Sequence, residues 1–158
     1  MKILFLLSLF SFSVFPWTDE AMIAKPQANY LYGVFDGRTP CDKLANQLNE
    51  KVVDACIKIK WRLSLYKDSA TGEPSNYELL GFMYKKGNPR IGKWHILKGS
   101  FADADAIIYR LDREGEAPLL LQKGNENVLF FLDAQKKLLV GNRDFSYTLN
   151  RKKSLIYK

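Results

Sequence analysis

The residue types that carry most enzyme chemistry and metal ligation are scarce in this chain. It contains one histidine, two cysteines and three methionines. The single histidine, His95, has no neighbouring sequence that suggests a catalytic triad, and neither a glycine-rich phosphate loop nor a zinc-ligand spacing is present. The carboxylates between residues 103 and 116 lie in turn-like segments, where solvated turns are more usual than paired acid and base groups. We therefore expect a protein that is not an enzyme and uses no cofactor.

Long apolar runs are also absent beyond the N-terminal region. Lys2 is followed by an apolar or hydroxyl-bearing run over residues 3–15, and the carboxylates of Asp19 and Glu20 come after it. This order predicts a signal peptide over residues 1–24, because a membrane-spanning helix needs roughly 20 apolar residues. The chain should then have no transmembrane span after cleavage and be exported, to the periplasm or beyond. The cleavage site lacks a clean small-residue pattern, so a retained N-terminal anchor is the alternative.

Acidic residues are outnumbered by basic ones. The chain has 24 lysine and arginine residues against 17 aspartate and glutamate residues, for a formal net charge of +7. A basic balance can indicate nucleic-acid binding, but export argues against that partner. An anionic envelope surface is the better candidate, and a basic face that serves only solubility is the alternative.

The two cysteines indicate a disulfide. In an exported chain a bridge between Cys41 and Cys56 is a simpler explanation than a metal site or a reactive pair. It would close a loop of about 15 residues, which the chain-entropy argument associates with about 3 kcal/mol of stability. Inside this loop, Asp42 is a candidate N-cap, and apolar residues recur every fourth position from Leu44 to Val52. We predict one short helix here, covering one end of the fold.

Aromatic residues, by contrast, are plentiful: eight tyrosines and ten phenylalanines favour strands over helices. The clearest periodicity follows Cys56, where apolar and polar residues alternate, so that one face of a strand should be apolar and the other basic. The apolar positions are Ile57, Ile59, Trp61, Leu63 and Leu65, and the basic ones are Lys58, Lys60 and Arg62.

Short strands continue along the rest of the chain, separated by turns. Their spacing near ten residues indicates a sandwich or a closed barrel, and consecutive hairpins favour an antiparallel barrel of about eight or nine strands. The predicted strands cover residues 30–35, 57–66, 77–84, 93–97, 106–111, 119–122, 128–132, 137–140 and 145–149. The first is predicted to end at the turn-prone pair Asp36-Gly37. The predicted fold class is all-β, with one short helix between the first two strands.

Several segments, taken in order, carry a family resemblance. They are Tyr32-Gly33-Val34-Phe35, Pro40-Cys41, the run from Cys56 to Asp68, Gly92-Lys93-Trp94, and the stretch from Phe130 to Asn150. Together they resemble the NlpE-like domain family, best known from a copper resistance lipoprotein. The resemblance covers nearly the whole of residues 25–158. It implies a small lipocalin-like β-barrel in a Gram-negative cell envelope, with a link to envelope stress sensing or copper tolerance.

Two departures from the family pattern bear on function more than on fold. The family's usual Cys-x-x-Cys is opened here by the predicted helix between Cys41 and Cys56, and the usual lipid-anchor cysteine is absent. Copper(I) prefers thiolate, thioether or imidazole ligands, and a disulfide would remove both thiolates. The sequence therefore predicts no metal site.

Two groups of residues are candidates for binding. The basic stripe of Lys58, Lys60 and Arg62, together with Arg151 to Lys153, could meet lipopolysaccharide or anionic lipid head groups; an ordinary solvated sheet face is the alternative. A second group could line a ligand cavity, although such side chains more often simply fill a small barrel. That group comprises Trp61, Leu63, Leu65, Tyr77, Trp94, Tyr109, Phe130 and Tyr147.

Three functions follow as hypotheses. The first is a non-enzymatic envelope protein that binds or senses an envelope protein or an anionic surface. The second is a carrier that holds a small apolar ligand inside the barrel. The third is a copper-binding protein that uses Cys41 and Cys56.

Overall fold

The computed structural model describes residues 28–47, 56–81 and 86–153, and these form a closed antiparallel barrel of eight strands in sequence order. The elements are β1 (Asn29–Thr39), α1 (Asp42–Gln47), β2 (Ile59–Asp68), β3 (Pro74–Leu80), β4 (Arg90–Lys98), β5 (Ile107–Arg113), β6 (Glu116–Lys123), β7 (Val128–Leu132) and β8 (Thr148–Arg151). The all-β barrel with one short helix after the first strand is confirmed.

Some predicted features lie outside the described residues. These are the signal peptide over residues 1–24, the second half of the predicted helix, which includes Val52, and residues 82–84 of the predicted strand 77–84. Within the described ranges, no helix is long and apolar enough to cross a membrane.

Strand β2 forms because its alternation matches the strand period. Ile59 and Leu63 are buried in the barrel interior, whereas Lys60 and Arg62 between them are exposed on the outer face. Ile57 precedes the strand and is exposed, so the buried face of the strand begins at Ile59, two residues later than predicted.

Strand β1 runs beyond the predicted turn at Asp36-Gly37 and ends at Thr39. Gly37 serves another purpose there: a side chain at this position would collide with the Thr148 carbonyl and with Leu149 of β8. A glycine in a strand allows another backbone to approach closely, and here it allows β8 to close the barrel against β1.

The predicted strand over residues 137–140 is wrong, and the last strand is shifted to Thr148–Arg151. A single bridge joins Leu138 to Leu132. The Asp133 side chain accepts hydrogen bonds from the amides of Gln135 and Lys137, which form the turn after β7. After this turn the Leu139 amide bonds to the Phe131 carbonyl at 3.0 Å, but the pairing does not extend into a strand.

Helix α1 closes one end of the barrel, which we call the helix end. The predicted disulfide between Cys41 and Cys56 is present, with a Cα–Cα distance of 6.1 Å. Leu44 is fully buried against the interior cluster. Gln47 donates from Nε2 to the Leu132 carbonyl at 3.1 Å, which ties the helix to the end of β7. The opposite end, where β1 and β7 begin and β8 ends, is called the mouth.

Candidate functional site

The barrel interior is occupied by side chains that pack on one another. Trp94 and Tyr109 meet edge to face with ring centroids 5.0 Å apart, and Trp61 lies 5.7 Å from Phe131. An eight-stranded barrel is just wide enough for its side chains to fill it. Seven of the predicted core or ligand-facing residues belong to this one buried cluster: Trp61, Leu63, Leu65, Tyr77, Trp94, Tyr109 and Tyr147.

The eighth, Phe130, does not belong to the interior. It alternates with the buried Leu129 and Phe131 and is half-buried on the outer face of β7. Its ring lies over Gly124, where a side chain would displace it. All five residues of β7 are apolar, so its sequence contains no alternation that could have placed Phe130 on the outer face.

The polar atoms of three interior aromatic residues are already engaged within the protein. Trp61 donates from Nε1 to Thr39 Oγ1 at 2.9 Å. Trp94 donates to the Tyr66 carbonyl at 2.7 Å, and the Tyr77 hydroxyl donates to the Asp112 carbonyl at 2.7 Å. Buried aromatic polar atoms usually find such partners, and these bonds orient the rings as structural elements of the core.

A groove of about 750 Å³ lies on the outer surface near the helix end. Strands β1, β2 and β8 form its floor, and the segment between β7 and β8 forms one wall. Its lining residues are Asp36, Gly37, Arg38, Lys60, Trp61, Arg62, Leu80, Asp144, Phe145, Ser146, Thr148 and Asn150. Two of the three predicted basic residues, Lys60 and Arg62, therefore lie in one concave site.

Both carboxylates of the groove contact an arginine. Asp36 accepts two bonds from Arg62, at 2.7 Å from Nε and 2.9 Å from Nη2. This guanidinium holds the pKa of Asp36 below its usual value of 3.8. Asp144 lies 3.6 Å from Nε of the exposed Arg143. The Arg62 charge is thus largely neutralised within the groove.

The remaining two cations face each other. Arg38 of β1 is the direct register partner of Lys60 of β2, and both are exposed on the outer face. Among the described residues neither forms an ion pair. Like charges placed directly opposite on neighbouring strands destabilise a sheet, so this pair gives the groove an uncompensated positive centre.

The third predicted basic residue lies beside the groove. Lys58 precedes β2, and its Nζ is 5.5 Å from the centroid of the Phe145 ring, which lines the groove. Arg38 was not predicted as a groove residue, because the first strand was predicted to end at Phe35. Extending its alternation three residues would have placed Arg38 on the same face as Asp36.

Arg151, predicted with the basic stripe, lies elsewhere. Its guanidinium is inside the mouth, 4.7 Å from the Phe35 ring centroid and 5.1 Å from that of Tyr32. On β8, Arg151 alternates with Asn150 and therefore shares the inward side of Leu149.

His95 belongs to an ion-pair cluster on the outer face. Its Nε2 lies 2.9 Å from Asp112 Oδ2, and Arg110 Nε lies 2.8 Å from the other oxygen of the same carboxylate. All three side chains are well exposed. This arrangement is that of a solvated surface network.

The cysteines do not fit a copper site in this structure. Copper(I) takes thiolate sulfur, and both sulfurs are bonded to each other. Across the described ranges, no group of three or more histidine, cysteine or carboxylate side chains is placed to hold a metal ion.

Comparison with protein-family models found no match. Searches of curated proteins and of solved structures likewise returned nothing similar. The resemblance to the NlpE-like family therefore stays a prediction from the sequence segments quoted above.

Proposed function

We propose that this chain is a non-enzymatic binding module of the cell envelope, of the NlpE type, that contacts phosphate groups of an anionic envelope surface through the groove. The observation that carries the proposal is the pairing of Arg38 with Lys60 across β1 and β2. Two adjacent cations without a carboxylate partner among the described residues are a favourable place for a phosphate, which offers several charged acceptor oxygens.

The filled interior supports a surface site over a carrier function. Trp94 and Leu63 are fully buried at the centre of the barrel, where a carried ligand would have to lie. The groove, by contrast, is open and combines charge with hydroxyl groups. Ser146 and Thr148 contribute those hydroxyls and share a hydrogen bond at 2.6 Å.

The disulfide supports the envelope assignment. Disulfides persist in oxidising compartments and are rare in the cytosol. Protein isolated from the envelope fraction and weighed by native mass spectrometry should lack residues 1–24 and contain no alkylatable thiol. Recovery of the full-length chain with two free thiols and a bound copper ion would instead favour the copper hypothesis.

The groove is tested by co-sedimentation with vesicles. We expect binding to vesicles of phosphatidylcholine with phosphatidylglycerol, weaker binding at high salt, and no binding to phosphatidylcholine alone. Lys60→Gln should weaken binding about fivefold, since a basic residue near an anionic surface contributes about 1 kcal/mol. A second arm with purified lipopolysaccharide distinguishes a glycolipid phosphate from a phospholipid head group.

Lys93→Gln is the matched control, because Lys93 is also exposed but lies on β4, outside the groove. If Lys93→Gln weakens binding as much as Lys60→Gln, the net charge of the protein is responsible and the groove is not the site. Absence of binding to both anionic preparations would also overturn the proposal.

A further inference from the structure

The mouth of the barrel carries a second cluster of charged and aromatic side chains, on the inner side of the strands, whereas the groove lies on their outer face. Tyr32 lies across this end and stacks on Trp94, with ring centroids 5.9 Å apart. Its hydroxyl shares a hydrogen bond of 3.2 Å with the Tyr109 hydroxyl. The two tyrosines form a floor above the filled interior.

Cations surround this floor. Lys67 Nζ lies 4.8 Å from the centroid of the Tyr32 ring, and the Arg151 guanidinium lies 5.1 Å from it. Lys123 contacts Glu126 at the same end of the barrel. Three cations thus lie near one carboxylate. The hydrogen bond from the Lys123 ammonium lowers the pKa of Glu126 below its usual value of 4.5, and the charges of Arg151 and Lys67 lower it further.

Arg151 is held in place by the backbone. It donates from Nε to the Glu126 carbonyl at 2.6 Å and from Nη1 to the Tyr32 carbonyl at 2.9 Å. A side chain at position 33 would collide with this guanidinium, so Gly33 makes the space that it occupies. Both acceptors are neutral carbonyls, and the guanidinium charge therefore has no carboxylate bonded to it among the described residues.

An apolar rim borders the charged floor. Ile96 is two positions beyond Trp94 on β4 and lies directly opposite Tyr109 of β5, on the inward side of both strands. Ile107 is two positions before Tyr109 on that side. Although inward, Ile96 and Ile107 are 46% and 37% exposed, because they lie where the barrel opens.

We propose that the mouth binds a single-chain amphiphile with a carboxylate head, such as a fatty acid. The head group is bound by Arg151, Lys67 and the tyrosine hydroxyls, and the chain lies along Ile96 and Ile107. Charge-assisted hydrogen bonds fix the head, and the exposed isoleucines lose water contact when the chain covers them. The interior side chains limit the ligand to the mouth, so the chain lies across the rim and does not enter the barrel.

The head-group contact is tested with laurate, by calorimetric titration of the purified protein below the micelle concentration. We expect saturable binding of laurate. Acetate should not bind because it lacks the alkyl chain, and dodecanol should not bind because it lacks the charge. Lys67→Gln should weaken laurate binding about tenfold, the usual effect of losing a charged hydrogen-bond partner. Lys152→Gln is the matched control: Lys152 is adjacent to Arg151 but exposed outside the mouth.

The chain contact is tested with a second pair of variants. Ile96→Ser should weaken laurate binding several-fold, whereas Ile91→Ser should leave it unchanged. Ile91 is exposed on the same strand, but it alternates with the inward residues and lies on the outer face.

Saturable laurate binding with these two selective losses supports the mouth as the site. Three results would overturn it: no saturable binding, equal binding of dodecanol, or equal binding by wild type and Lys67→Gln. The variants also separate the two sites, since Lys67→Gln should leave vesicle binding through the groove unchanged and Lys60→Gln should leave laurate binding unchanged.

Discussion

At the scale of single residues, the pair of Tyr32 and Tyr109 in the mouth should make the stability of the protein fall as the pH becomes alkaline. Burial is the main cause that raises the pKa of Tyr109, and its hydrogen bond with Tyr32 raises that pKa further. A raised folded pKa stabilises the protein below about pH 10, the unfolded tyrosine value, and this contribution is lost as the pH rises above it. Denaturant titrations at pH 8 and pH 11 should therefore show a smaller loss of stability for Tyr109→Phe than for wild type.

Tyr30→Phe is the control for this prediction, because Tyr30 is exposed and its removal also costs one ionisable hydroxyl. It should lose as much stability at pH 11 as the wild type does. At pH 8, Tyr109→Phe should cost about 1 kcal/mol, the usual value of one hydrogen bond. If Tyr109→Phe and wild type lose equal stability at pH 11, the Tyr109 hydroxyl does not couple folding to pH.

At the scale of elements, a strand could be predicted where one face is buried, because its apolar and polar residues then alternate. The alternation in β2 fixes which side chains enter the core, so both its interior leucines and its outer lysine could be predicted. Residues 138–140 are also apolar, but they pair with β7 at a single bridge after a turn that the Asp133 side chain holds through backbone amides. Side-chain to backbone bonds of this kind leave no periodicity in the sequence.

The disulfide is the element-scale feature with the largest expected effect. Helix α1 is described over six residues, Asp42–Gln47, and it buries Leu44 and Ala45 directly after Cys41. The Cys41–Cys56 bond spans 15 residues, and its removal in the double variant Cys41→Ser/Cys56→Ser should cost about 3 kcal/mol of unfolding free energy. Hydrogen exchange should show earlier loss of protection at the Ala45 amide, which bonds to the Cys41 carbonyl at 3.0 Å.

Reductant provides the internal control for this prediction. It should lower the stability of the wild type to that of the double variant and leave the variant unchanged. A double variant that unfolds at the same denaturant concentration as oxidised wild type would show that the bond adds no stability.

At the scale of the whole molecule, the barrel assembles sites that no local pattern contains. Arg38 and Lys60 meet through pairing of the first two strands, whereas Phe145 and Thr148 reach the same groove only when β8 closes against β1. Lys60 and Arg62 could therefore be predicted from the alternation of β2, but Arg38 comes from the other strand and was not predicted. The wall formed by the segment between β7 and β8 could not be predicted, because the sequence does not show how β8 pairs with β1.

Closure of the barrel between β1 and β8 depends on a glycine. Strands β1 and β8 share two register pairs, and Gly37 lies beside them where a methyl group would collide with the Thr148 carbonyl. Gly37→Ala should force the strands apart and lower the unfolding free energy by about 1–3 kcal/mol, as overpacking usually does. Hydrogen exchange at the Lys152 amide, which bonds to the β1 backbone, should accelerate as well. Gly124→Ala, whose methyl group would first meet the movable Phe130 ring, should leave that exchange unchanged. If Gly37→Ala unfolds and exchanges like the wild type, the close approach of β1 and β8 at Gly37 is not needed to close the barrel.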